Sequence, residues 1–212
     1  MGIVRFRTAI SLDGYTAGPR QRLEHPLGEG GTQLHEWAFA TRWFHELTGQ
    51  EGGTTGIDDE RGRAGLQGVG ATVMGRNMFG PVRGPWTEPL WNGWWGEEPP
   101  FHHPVFVLTH EAREPLELRG TTFHFVTEGF TAALERARAA AGDLDVAIGG
   151  GASTVRQALR AGVVDAFELH VVPVLLGAGE RLFDGLEPGK LGFACTGVDR
   201  SPAVAHVRFG RV

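Results

Sequence analysis

Cysteine is almost missing: Cys195 is the single one in 212 residues. No internal disulfide can form, which fits a reducing cytoplasm. Cys195 falls in a strand pattern and reads as a small buried apolar residue rather than a nucleophile. No cysteine pair can hold zinc, and His102-His103 has no partner cluster at a metal-ligand spacing, so no metal is expected. No apolar run approaches the roughly 18 residues of a membrane span, so no membrane contact is expected. The N-terminus, Met1 to Arg7, reads as a charged strand and not as a signal peptide. Phe6 stands where a myristoylation signal needs Ser or Thr. Positive charge is not in excess: the formal net charge is −5, which argues against a nucleic-acid surface. Internal repeats, linkers and low-complexity tracts are missing too, so one domain over 1–212 is expected. The apolar fraction of 41% and charged fraction of 21% are those of a globular protein able to bury a core.

What is present is glycine at strand–helix junctions. Val146, Ala147 and Ile148 read as a buried strand; Gly149, Gly150 and Gly151 follow at once. Ser153 or Thr154 then opens a helical pattern with Val155, Ala158 and Leu159 on one side, closed by Gly162. Such a junction leaves backbone N–H groups bare at the helix start, where a phosphate is favoured by hydrogen bonding and by the helix dipole. A tight turn with no ligand is the other reading. A second junction of this kind runs Ala71-Thr72-Val73-Met74 into Gly75-Arg76-Asn77-Met78, with an arginine fork suited to phosphate.

The other segments read in order. Residues 3–10 form a strand, and Ser11-Leu12-Asp13-Gly14 turns the chain; Asp13 serves the turn or lies at the mouth of a pocket. A helix is predicted over 33–48 with Thr32 as N-cap, and a short one from Asp58 or Asp59 to about Leu66. Residues 80–104 hold six prolines and four tryptophans and read as a functional loop: a lid, a pocket wall, or a flap packed on the core or on a second subunit. Strands are predicted over 104–110 and 121–126, and a helix over 131–141 capped by Thr127 or Thr131 and ended by Gly142. A long strand interrupted at Pro173 is predicted over 165–176, then an antiparallel pair over 191–199 and 203–211. Alternating strands and helices imply an α/β fold with a mostly parallel central sheet flanked by helices and an antiparallel C-terminal hairpin. Ligands of such sheets bind at the carboxyl ends of the strands.

The chain resembles dihydrofolate reductase-like proteins, in particular the reductase domain of the bifunctional riboflavin-biosynthesis deaminase-reductase. The matching pieces are Ser11-Leu12-Asp13-Gly14, Val73-Met74-Gly75-Arg76, Val105-Phe106-Val107-Leu108-Thr109, Ile148-Gly149-Gly150-Gly151 and Val172-Pro173-Val174-Leu175-Leu176-Gly177. They span nearly the whole chain in order, and no preceding deaminase domain is expected, since the sequence holds no cysteine pair for its zinc. The resemblance implies the dihydrofolate reductase fold, a homodimer, a small-molecule substrate and NADPH as cofactor. By position, Gly75, Arg76, Asn77 and Met78 would meet the cofactor phosphates, and Thr109 and His110 would lie near the adenosine 2′-phosphate. Gly149, Gly150, Gly151, Ala152, Ser153 and Thr154 would cradle the pyrophosphate, and Ala9 and Ile10 would lie beside the nicotinamide.

The acid that holds a pterin in dihydrofolate reductases has no clear counterpart: Glu36 or Ala40 falls there. The expected activity is hydride transfer to a C=N or C=O bond of a heterocyclic, pterin- or pyrimidine-like, or sugar-derived substrate. Asp13, Glu36 or water would supply the proton. A non-catalytic nucleotide- or flavin-binding protein on the same fold is the alternative.

Overall fold

The computed structural model describes residues 2–81, 84–187, 189 and 191–212. Met1, and Val82 and Arg83 of the Trp-rich segment, lie outside the described residues. In chain order the elements are β1 (Val4–Ser11), β2 (Tyr15–Ala17), α1 (Glu36–Phe39), α2 (Arg42–Leu47), α3 (Ile57–Ala64), β3 (Val69–Gly75), α4 (Arg76–Phe79), β4 (Val105–Leu108), β5 (Leu116–Leu118), β6 (Thr121–Val126), α5 (Phe130–Ala141), β7 (Asp145–Gly150), α6 (Ala152–Arg160), β8 (Ala166–Val172), β9 (Glu180–Arg181), β10 (Phe193–Arg200) and β11 (Ala205–Arg211). They form two compact units: the chain up to Phe6 with Gly68–Val164, and Arg7–Gln67 with Asp165–Val212.

The first unit is a sheet in the order β1-β7-β3-β4-β6-β5, entered by residues Val4–Phe6 of β1. The pairs from β1 to β6 are parallel, and β5 closes the edge antiparallel. Central parallel strands are covered on both faces and so are apolar throughout; β3 is buried from Val69 to Met74. One cover is α5, whose buried Phe130, Ala133, Leu134, Ala137 and Ala141 recur at helical spacing. Thr127 and Thr131 do not cap it, because Gly129 takes the N-cap position without a side-chain bond. Gly142 ends it as expected, at φ 60.

The second unit carries the order β10-β11-β8-β1, antiparallel from β10 to β8, as the last hairpin predicted. The strand expected over 165–176 stops at Val172, because Pro173 has no N–H for the ladder. The short pair β2–β9 was not foreseen. The helix predicted over 33–48 is broken into a 3₁₀ turn (Gly31–Leu34), α1 and α2. The break has a cause: Thr54 pairs with the chain there, its N–H donating to the Ala40 carbonyl (2.7 Å) and its carbonyl accepting from Arg42 N–H (2.8 Å). Thr41, not Thr32, is a cap, accepting from Phe44 N–H at 3.2 Å. Cys195 is exposed, contrary to expectation, since β10 is an edge strand with an irregular register between Cys195 and Gly197. Among the described residues no helix is long and apolar enough to cross a membrane.

Candidate active site

In the first unit β3 ends in Gly75 and α4 begins with Arg76. A Cβ on Gly75 would stand 2.7 Å from the Thr154 hydroxyl, so β3 and the start of α6 touch only because Gly75 has no side chain. Thr154 is therefore buried against β3, while Ser153 and Gly151 are exposed. Between β3 and β7 the register skips Gly149, with Val73 opposite Ile148 and Met74 opposite Gly150. Gly150 adopts φ 120, a backbone state side chains rarely take. The Met78 sulfur lies 3.4 Å from where a Cβ on Gly150 would be. Space around Gly151 is open, and no side chain caps the first turn of α6. The glycine turn thus offers uncovered backbone beside a helix start, which suits an anion.

Arg76 is held in place. Its Nη1 donates to the Thr109 hydroxyl at 3.1 Å, its Nη2 donates to the Gly84 carbonyl at 3.0 Å, and its guanidinium carbon lies 3.4 Å from the centre of the Trp86 ring. Thr109 is buried, and its oxygen also accepts from Glu111 N–H at 3.1 Å and donates to the Glu111 carbonyl at 3.2 Å. The Trp86 indole N–H donates to that same carbonyl at 3.0 Å. Asn77 and His110 are exposed.

Where it is described, the Trp-rich loop is a flap packed on the core. Trp86, Trp91 and Trp95 pack on the core of Met74, Phe79, Val105, Val107 and Phe123. Arg113 ties the loop down, donating to the Trp91 carbonyl (2.5 Å) and to Asn92 Oδ1 (3.0 Å). Nothing in the local pattern hints at the roles of Trp86 and Arg113; only the density of aromatics points to this loop.

In the second unit Ala9 and Ile10 are buried, Ala9 among Leu34, Trp37, Ala38, Val172 and Val204. Asp13 links two of the sequence motifs. Its carboxylate accepts from the Ser11 hydroxyl (2.6 Å), Leu176 N–H (3.1 Å) and Gly177 N–H (2.7 Å). The Ser11 hydrogen bond first, and then the two backbone N–H groups, lower its pKa to about 2. A proton donor needs a pKa near the working pH. Asp13 is thus a loop clamp, and its three donors favour the carboxylate form. Glu36 is exposed in the first turn of α1.

A polar cluster in the same unit escaped the sequence reading. Arg7 Nε donates to His170 Nε2 at 3.2 Å, which makes that nitrogen an acceptor and puts the His170 proton on Nδ1. That proton is donated to His206 Nδ1 at 2.7 Å, and His206 Nε2–H is donated in turn to Asp58 at 2.9 Å. Trp37 covers both imidazoles, with centroids 4.7 and 5.0 Å away. Burial, then the Arg7 guanidinium, hold the His170 pKa well below the ordinary imidazole value. Glu168, His170 and His206 bring ligand atoms within 4.8 Å of one another. A cation is nonetheless disfavoured: Arg61 bonds Glu168 at 2.8 Å, Arg7 stands 3.7 Å from it, and the two Nδ1 atoms already share a hydrogen bond. The one trace in sequence is Glu168 and His170 at alternate positions of an otherwise apolar strand.

Comparison with known proteins gives the following. The profile of the RibD C-terminal domain family matches residues 3–207. No curated protein matches the chain. Among solved structures, a protein of Shewanella sp. PV-4 ascribed to riboflavin biosynthesis is similar at 22% identity, with a TM-score of 0.63 and 99% of each chain covered. The Thermotoga maritima diaminohydroxyphosphoribosylaminopyrimidine deaminase/5-amino-6-(5-phosphoribosylamino)uracil reductase is similar at 14% identity and TM-score 0.56, covering 100% of this chain and 57% of that one. Dihydrofolate reductase from Enterococcus faecalis, complexed with NADP(H), is similar at 12% identity and TM-score 0.53, covering 99% and 96%. These likenesses show the dihydrofolate reductase-like fold.

Proposed function

The chain belongs to the RibD C-terminal domain family, and from that premise we propose that it is an NADPH-dependent reductase of a small pyrimidine- or pterin-like heterocycle or a sugar-derived relative of one. The observation that carries this reading is the first unit's strand ends: a Cβ-free glycine turn before α6, beside an arginine anchored at the end of β4. The relatives add support: one is named a uracil reductase, and another was complexed with NADP(H).

The cradle fits the cofactor's anionic parts. Gly149, Gly150 and Gly151 and the first-turn N–H groups of α6 would hold the pyrophosphate, and Arg76 and His110 would meet the 2′-phosphate. Bound NADPH supplies the hydride; the protein supplies position and exclusion of water. With Asp13 held as carboxylate by three donors, the proton for the product comes from Glu36 or water. The lack of a poised acid also favours a second reading, a nucleotide-binding protein without turnover. We read the protein as a cytoplasmic homodimer, with Leu175 (72% exposed) and Val198 (57%) as candidate contacts. The Trp loop is dropped from that role because its rings are spent on the core.

Titration with NADPH and with NADH, followed by quenching of tryptophan emission, tests the cofactor. Tight binding of NADPH and weak binding of NADH is expected. Negligible binding of both overturns the proposal, and NADPH binding with no turnover across reducible heterocycles selects the second reading.

A further inference from the structure

Resting on the NADPH reading, we infer that Trp86 and Thr109 are positioning residues which bracket Arg76 and so set the preference for a 2′-phosphorylated dinucleotide over its unphosphorylated form. The resemblance alone puts Thr109 itself near the 2′-phosphate. The structure spends that hydroxyl elsewhere: it accepts from Arg76 and from Glu111 N–H and donates to the Glu111 carbonyl. What stands at the corner after β4 is the Arg76 guanidinium, brought there by Thr109.

The guanidinium is held by Thr109 Oγ1 at 3.1 Å, the Gly84 carbonyl at 3.0 Å and the Trp86 ring at 3.4 Å. The bracket is itself braced. Trp86 donates to the Glu111 carbonyl, the same oxygen that Thr109 uses, and packs against Phe79 and Phe125 with centroids 6.2 and 5.2 Å away. Arg113 lies 5.0 Å from the same indole and joins the loop to the strand-end turn. An arginine side chain normally loses much rotamer freedom when it grips an anion. Here that loss is taken on folding, so binding is spared it. The guanidinium is also a positive charge held in a fixed plane, which suits a phosphate. The benefit applies only to a ligand that carries the phosphate.

The test is the ratio of NADPH to NADH affinity, read by nicotinamide fluorescence in wild type, Arg76→Met, Trp86→Leu, Trp86→Phe and Thr109→Val. Arg76→Met is expected to remove most of the ratio. Trp86→Leu and Thr109→Val are expected to weaken NADPH binding about tenfold each, the equivalent of 1.4 kcal/mol, and to leave NADH within about twofold. Trp86→Phe, which keeps an aromatic face, is expected to retain most of the ratio. A purely structural role would weaken both nucleotides alike, and that result overturns the inference. So does an unchanged NADPH affinity in Trp86→Leu and Thr109→Val while Arg76→Met loses it. If Trp86→Leu does not fold, Thr109→Val carries the same decision, since it swaps a buried hydroxyl for a methyl. Failure of the wild type to bind either nucleotide marks the failure of the reductase reading itself, a result distinct from the other two.

Discussion

Acidification from pH 7 to pH 5 is expected to destabilise this protein far more than its carboxylates would. His35 and His103 are held at about 4 by burial, against an ordinary 6.5, and burial with the Arg7 guanidinium holds His170 down as well. A group whose folded pKa is depressed leaves stability intact above its unfolded pKa. As pH falls below 6.5 the unfolded chain takes up the proton first, and stability drains away until pH reaches the folded value. For a histidine moved from 6.5 to 4, the loss at pH 5 is about 2 kcal/mol. His35 and His103 together then remove about 4 kcal/mol, and His170 adds in the same direction, against a typical total of about 5–15. Asp13 and Glu29, held at about 2, lose their contribution as pH falls below 3.8 and 4.5 respectively, outside this window. The melting temperature at pH 5 should lie about 8–16 °C below that at pH 7. His103→Gln, which preserves a bond to the Thr72 hydroxyl now 2.8 Å from the ring, should make the dependence shallower. Thermal unfolding at pH 7, 6 and 5, with proton uptake from calorimetry in two buffers, checks both. A melting temperature that is flat across the range refutes the argument that these imidazoles are kept neutral.

The other expectations concern single side chains. Asp13→Asn should leave folding intact but quicken amide exchange at Leu176 and Gly177, which lose their charged acceptor; a general acid is worth about 10²–10⁴-fold, so a fall in kcat of that size with KM unchanged would return Asp13 to the reaction. Gly75→Ala places a methyl 2.7 Å from the Thr154 hydroxyl and should cost about 1–3 kcal/mol of stability, measured by urea unfolding, with NADPH binding lost in step. Asp58→Ala strips the acceptor from buried His206 Nε2–H and should cost about 1–3 kcal/mol, visible as a lower melting temperature.

Much of the fold could be read from local pattern. Apolar runs gave β3, β4, β6 and β7, and helical spacing gave α5 and α6, because each element signals its own burial. What local pattern could not carry is competition between distant segments. Nothing near Ala40 announces that Thr54 will take its carbonyl and break the helix. The strand past Pro173 failed by one residue of hydrogen-bonding capacity, and Cys195 was misjudged because edge and central strands share a composition. The histidine pair was invisible for the same reason: His170 and His206 are 36 residues apart and meet only because β8 and β11 pair directly opposite at those positions.

The first unit's candidate site shows how several weak motifs combine. Parallel strands put their carboxyl ends at one edge, and the register decides which residues line up there. Gly75 pairs with Leu108, and Met74 pairs with Gly150. Arg76 and Thr109 therefore each stand one residue past the Gly75–Leu108 pair, with Gly151 level with that pair, although Arg76 and Thr109 lie 33 positions apart in sequence. The skipped Gly149 matters to this arrangement: in unbroken register Gly149 would sit opposite Met74, the glycine turn would run one step further along β3, and alternation would reverse the side of the sheet each following residue faces. The glycines, the arginine and the threonine can be read from the sequence as separate weak signals. Their convergence belongs to the register, which depends on pairing across three strands and cannot be read from any one of them.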